Sequence, residues 1–145
     1  MTAVLAFTNA LIFALLGCLH IYWMVGGKWG LAQALPTDDS GQRMLNPGPL
    51  ACLGVASGLL GFALYNASMG IGFEQHQTPT ANKWVIWVIA GIFLLRAVGD
   101  FRYVGFFKKV KNTEFGKMDT RWYAPLCLYL SLSSAWIGWI TNHAG

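Results

Sequence analysis

Charge is what this chain has least of. Lysine, arginine, aspartate and glutamate make up 11% of its 145 residues, against about 25% in typical soluble domains. With 55% hydrophobic residues, too little polar side chain exists to cover a water-facing surface, which excludes an ordinary soluble globular domain. Recognisable chemistry is equally sparse. No CxxC, HExxH, GxSxG, P-loop or dinucleotide fingerprint occurs, so no metal, nucleotide or nucleophile motif assigns an activity. Internal repeats and low-complexity tracts are also missing, and the length suits a single domain over residues 1–145.

The little charge present is unevenly placed. Of ten Lys and Arg residues, eight (Lys28, Arg43, Arg102, Lys108, Lys109, Lys111, Lys117 and Arg121) lie in two polar stretches, residues 26–48 and 102–121. Around those stretches run four apolar segments: Ala3–Val25, Leu50–Phe73, Trp84 to about Phe101, and Trp122–Ile140. A membrane-crossing helix needs about 20 apolar residues. The pattern predicts an all-α integral membrane four-helix bundle. The first run has no basic residue before it and ends in Tyr22-Trp23, so it reads as a retained span, not a cleaved leader.

The connections after the first and third spans hold the eight basic residues, and the opposite face holds Lys83. The positive-inside rule puts both basic connections in the cytoplasm of a bacterial inner membrane, with N- and C-termini outside. A net charge of +4 would suit nucleic acid, but basic residues at the ends of apolar runs are explained by topology, and no nucleic-acid partner is expected. Residues 26–48, rich in Gly and Pro and containing Asp38 and Asp39, read as a loop with one helical turn near Leu31–Leu35. Residues 102–121 read as a segment on the membrane surface, its basic side chains drawn to anionic headgroups.

This topology sorts the polar residues by depth. His20, Arg96 and Asp100 fall near the cytoplasmic end, as do Cys52, Tyr123 and Cys127, with Asp119 and Arg121 just before the last span. Arg96 and Asp100 are four apart and can pair on one helix face. Arg96 then either anchors an anionic group or is neutralised by Asp100 or the interface. His20 is a proton shuttle, a ligand contact or a neutral bonded histidine, and a carboxylate at Asp100 could orient it. The three cysteines face a reducing compartment, so no disulfide is expected. His76 and His143 lie far away on the outer side, and no metal is expected. Tyr65, Asn66, Ser68, Ser131, Ser133 and Ser134 suit interhelical hydrogen bonds. In the second span, Gly54-x-x-x-Gly58 and Ser57-x-x-x-Gly61 are small-residue pairs that pack helices closely, either inside the bundle or at a homodimer seam.

Three motifs carry a resemblance. They are His20-x-Tyr22-Trp23 with Gly26-Gly27, Arg96-x-x-Gly99-Asp100-Phe101-Arg102-Tyr103-x-Gly105-Phe106, and Asp119-Thr120-x-x-Tyr123-x-Pro125-Leu126. Together they resemble a family of small bacterial membrane proteins of unknown function. The resemblance implies a four-span protein in which these positions form one site, and it implies no activity, substrate or cofactor.

The expected function is therefore binding of a lipid-like or anionic small molecule in a polar pocket at the cytoplasmic end. His20, Tyr22, Trp23, Arg96, Asp100, Arg102, Tyr103, Asp119 and Tyr123 are the candidate ligand contacts. Alternatives are a membrane enzyme acting on a lipid, isoprenoid or quinone, with His20 and Asp100 as an acid–base pair, or an accessory subunit of a larger membrane complex. Membrane lipids are the expected partners, with a homodimer through the Gly54, Ser57, Gly58 and Gly61 face as a further option.

Overall fold

The computed structural model describes residues 1–38, 40–75 and 83–143. Asp39, His76 and their neighbours at 77–82, with residues 144–145, lie outside the described residues. Those described are helical apart from connections and one isolated β-bridge between Thr37 and Arg43. Helix α1 is Thr2–Met24, α2 is the short Leu31–Ala34, and α3 is Pro49–Glu74. Helix α4 is Lys83–Val98 and α5 is Glu114–Met118; a π-helical turn, Asp119–Tyr123, leads into α6, Ala124–His143.

Three helical stretches are long and apolar enough to cross a membrane: Thr2–Met24, Pro49–Glu74 and the continuous Glu114–His143. The sequence reading placed a further span over Trp84 to about Phe101. Within the described residues α4 has 16 residues, about 24 Å of helix, against a hydrocarbon core of about 30 Å. It stops at Val98 because Gly99 takes the left-handed conformation (φ 83°) that terminates helices at little cost.

The long helices form two antiparallel pairs, α1 on α3 and α4 on α6, joined where α1 meets α6. Helices α3 and α4 approach each other less closely, linked by Tyr65 of α3 hydrogen-bonded to the Ile86 backbone of α4. The core runs along both seams: Phe13 of α1 packs its ring against Phe62 of α3 and Phe93 of α4, at centroid distances of 5.7 and 5.2 Å. Met69, Ile86, Ile89, Leu130 and Ile137 are fully buried around it. Polar cross-links add to the packing. Ser131 Oγ donates to the Ala90 carbonyl at 2.8 Å and Ser133 Oγ to Asn9 Oδ1 at 3.0 Å, joining α6 to α4 and to α1. Asn66 and Ser68 instead bond carbonyls of their own helix, at Phe62 and Tyr65.

The close helix contacts are not where the small-residue motif suggested. Gly54, Ser57, Gly58 and Gly61 are exposed, and a Cβ on any of those three glycines would meet no atom within 4 Å. Packing inside this chain therefore does not use them. The tight approaches are at Gly17, where a Cβ would lie 2.9 Å from Leu60; at Gly70, 2.9 Å from the Phe7 ring; and at Gly138, 2.9 Å from Ile86. The first two draw α1 onto α3, and the third draws α6 onto α4.

Candidate functional site

One end of the bundle is hollow. The last turns of α1 and α4 and the first turns of α3 and α6 diverge around a cavity of about 1030 Å³. This is at the upper end of the roughly 300–1,000 Å³ of small-molecule sites. Its walls are mainly apolar: Leu16 and Leu19 of α1, Val55, Leu59 and Phe62 of α3, Ile92 and Phe93 of α4, and Leu126 of α6. The polar groups that reach it are few: His20, Arg96, Gln33, Tyr123 and Cys127, with the indoles of Trp23 and Trp29.

Two local folds position those groups. The first follows α1. Trp23 Nε1 donates to the Trp29 carbonyl at 2.9 Å, and the Gly27 N–H donates to the Tyr22 carbonyl at 2.9 Å. Gly27 lies so tightly against the Tyr22 ring that a Cβ there would overlap it. The chain therefore doubles back after α1 and lays Trp29, Gly30, Gln33 and Ala34 across the end of the cavity. The His-x-Tyr-Trp and Gly-Gly pattern builds this turn, with Tyr22 serving the turn while His20 and Trp23 line the cavity.

The second fold follows α4. Gly99 and Gly105 both have positive φ (83° and 88°), and their backbones meet. A Cβ on Gly99 would overlap the Val104 carbonyl, and one on Gly105 would overlap the Val98 carbonyl. Across the loop between them, Asp100 Oδ1 accepts from the N–H groups of Arg102, Tyr103 and Val104 at 2.9, 2.7 and 2.9 Å. Burial pushes the Asp100 carboxyl up, but those backbone donors outweigh it and hold it below its ordinary value. The Phe106 N–H then returns to the Ala97 carbonyl at 2.9 Å, closing the loop onto α4.

That loop delivers Gly105 and Lys108 to Asp119. Lys108 and Asp119 have fully buried side chains. Asp119 Oδ2 accepts from Lys108 Nζ at 2.9 Å and from the Gly105 N–H at 2.8 Å, and its Oδ1 accepts from Arg96 Nη2 at 3.0 Å. Lys108 Nζ also donates to the Gly105 carbonyl at 3.0 Å and to Thr120 Oγ1 at 2.6 Å, which satisfies all three ammonium donors. The exception is Arg96. Its Nη1 is shielded and has no hydrogen-bond partner. Two cations share one carboxylate, so the group carries one surplus positive charge, and Arg96 is the member that lines the cavity.

The Arg96–Asp100 pair expected from four-residue spacing is thus replaced by Arg96–Asp119. The helix ends before Asp100, whose Oδ1 is committed to the loop. Asp100 is not among the cavity-lining residues, and neither are Arg102 and Tyr103, whose side chains stack on each other with the guanidinium carbon 5.1 Å from the ring centroid. His20 Nδ1 bonds the Leu16 carbonyl at 2.8 Å. A carbonyl only accepts, so Nδ1 carries the proton and Nε2 is the ring's other polar atom, an acceptor when the imidazole is neutral. The His20 ring stands edge-on to Trp23, centroids 4.9 Å apart.

A family model described as a protein of unknown function (DUF3995) matches residues 13–134. The chain belongs to DUF3995. No curated protein and no solved structure matches it significantly. The DUF3995 match takes in both local folds, the Arg96–Asp119–Lys108 group and every residue lining the cavity. Several residues of this cavity were not legible in the sequence. Lys108 was read as a headgroup-facing base and is instead 2% exposed. Gln33 and Met118 were not singled out, Leu126 entered only through its motif, and Cys127 was placed near the same end without being assigned to the cavity. For Lys108 the available signal was its place between the motifs that carry Arg96 and Asp119; for the others no signal distinguishes a lining face from a lipid-facing one. Among the described residues no three His, Cys, Asp or Glu side chains cluster as a metal site would require.

Proposed function

We propose that this is a small integral membrane protein that binds a lipid-like or anionic small molecule in the cavity at its basic end. The carrying observation is Arg96. The Arg96 guanidinium lines a largely apolar cavity with its side chain 34% exposed, and its one carboxylate partner is shared with a buried lysine. A cation only partly neutralised in such a setting is costly, and an anion that pairs with it recovers that cost. Apolar walls accept a hydrocarbon portion, and the Tyr123 hydroxyl offers a further hydrogen bond to a head.

The same reading supplies the topology. Helix α4 is the fourth span; the basic connections lie in the cytoplasm and both termini outside, in a bacterial inner membrane. The exposed Gly54, Ser57 and Gly61 face of α3 is then the natural contact for a second copy or a larger complex. The enzyme alternative is weakened by Asp100, which serves the loop instead of His20.

Native mass spectrometry of protein released from its own membrane tests the proposal. Wild type should carry a one-to-one small-molecule adduct that Arg96→Gln loses. Bare protein in both cases would refute binding.

A further inference from the structure

The cavity is not enclosed, and the helix packing around it points to where a ligand comes from. Around the bundle the long helices run α3, α1, α6, α4, packed at each step, and the fourth side, between α4 and α3, is the loosest, bridged beyond the cavity by Tyr65 hydrogen-bonded to the Ile86 backbone. Both flanks of that gap line the cavity: Val55 and Gly58 on α3, Ile92 on α4. Val55 and Ile92 are 48% and 45% exposed. Gly58 thins the wall there, since a Cβ would meet nothing within 4 Å. The end that would face water is crossed instead by the turn after α1, held by the Trp23–Trp29 hydrogen bond, and by Met118 before α6. In a bilayer the gap faces hydrocarbon.

The charge is equally specific. Asp119 has both oxygens committed, and among the cavity-lining side chains there is no carboxylate. One positive charge remains, on Arg96. We infer that the ligand is an anionic amphiphile drawn from the bilayer, entering between α3 and α4 with its acyl or prenyl chain along Val55, Gly58, Phe62 and Ile92 and its carboxylate or phosphate head on Arg96. This rests on the binding reading above and narrows it to a membrane-borne ligand with a charged head. Asp119 stays neutralised by Lys108 and the Gly105 N–H when Arg96 turns toward the head, so binding does not leave a buried carboxylate alone.

A diazirine-bearing palmitate doped into phosphatidylcholine vesicles tests this on the reconstituted full chain, with crosslinks mapped by peptide mass spectrometry. Crosslinks should concentrate at Val55, Gly58 and Ile92, not at the lipid-facing Leu11, Leu15 and Leu64. Unlabelled palmitate should displace them about tenfold better than hexadecanol, as a hydrogen bond to a charged group requires, and inorganic phosphate in the buffer should not displace them. Arg96→Gln should remove the preference for palmitate over hexadecanol. Gly58→Phe, whose Cβ would enter open space, should abolish crosslinking at the gap without lowering the unfolding temperature. Equal displacement by hexadecanol overturns the anionic head but leaves cavity binding standing. Displacement by inorganic phosphate overturns entry from the bilayer. Crosslinks spread evenly over the lipid-facing surface overturn both this inference and the binding proposal.

Discussion

Replacing Asp119 with asparagine should be the most damaging single polar substitution in this chain. The change keeps the side chain's shape and removes its charge. Lys108, with a side chain 0% exposed, would retain the Gly105 carbonyl and Thr120 hydroxyl but lose its counter-charge. Breaking a buried pair in this way costs about 3–5 kcal/mol, because the remaining charge is left uncompensated. Arg96→Gln acts on the same pair from the other side and should cost far less, about 1 kcal/mol. The Arg96 side chain is 34% exposed, and Asp119 keeps Lys108 and the Gly105 N–H without it. Thermal unfolding in detergent, followed by tryptophan fluorescence, would rank the two. A third variant checks the mechanism: Lys108→Met combined with Asp119→Leu removes both buried charges together and should recover stability relative to Asp119→Asn. If Arg96→Gln destabilises as much as Asp119→Asn, or the double replacement is worse than the single, the buried Lys108–Asp119 pair is not what holds the loop to α6.

Other substitutions separate the remaining claims. Gly99→Ala should destabilise by more than 1 kcal/mol, since it combines a left-handed φ with overlap on the Val104 carbonyl; hydrogen exchange of the Arg102, Tyr103 and Val104 amides should rise in parallel. Gly138→Ala must displace the fully buried Ile86, whereas Gly54→Ala meets open space and gains up to about 1 kcal/mol of helix propensity; unfolding temperatures should move in opposite directions. If Gly54→Ala instead dissociates a dimer on size-exclusion chromatography, that face is a subunit contact. Asp100 lies beyond the end of α4 and its folded pKa is depressed, so its stabilisation is complete above the unfolded value of about 3.9 and is lost as pH falls through the folded value. Asp100→Asn should flatten that acid limb in a pH series of unfolding temperatures.

The apolar runs were legible because length and hydropathy alone define a span. The site was legible in its members and not in its pairings. Four-residue spacing made Asp100 the natural partner of Arg96, yet Gly99 stands directly between them, and a glycine there ends the helix that the spacing argument assumes. The true partner, Asp119, lies 23 residues away, and a contact at that separation depends on how the 99–105 loop folds. The Gly54 and Gly58 spacing was visible, but it marks no close contact within this chain. Gly17, Gly70 and Gly138 make the close approaches as single glycines, which carry no periodic signal. Cys127 shows the same limit: topology fixed its depth, while the face it presents was decided by the π-helical turn just before it, which shifts the register of α6.

The central claim is that a ligand sits in the cavity with its charged end on Arg96. An experimental density map of the protein extracted from its own membrane tests it most directly. Elongated density should lie between α3 and α4, with one end within about 3 Å of the Arg96 guanidinium and Asp119 still paired with Lys108 behind it. A map in which α3 closes onto α4, and side chains alone fill the space beside Arg96, would contradict it.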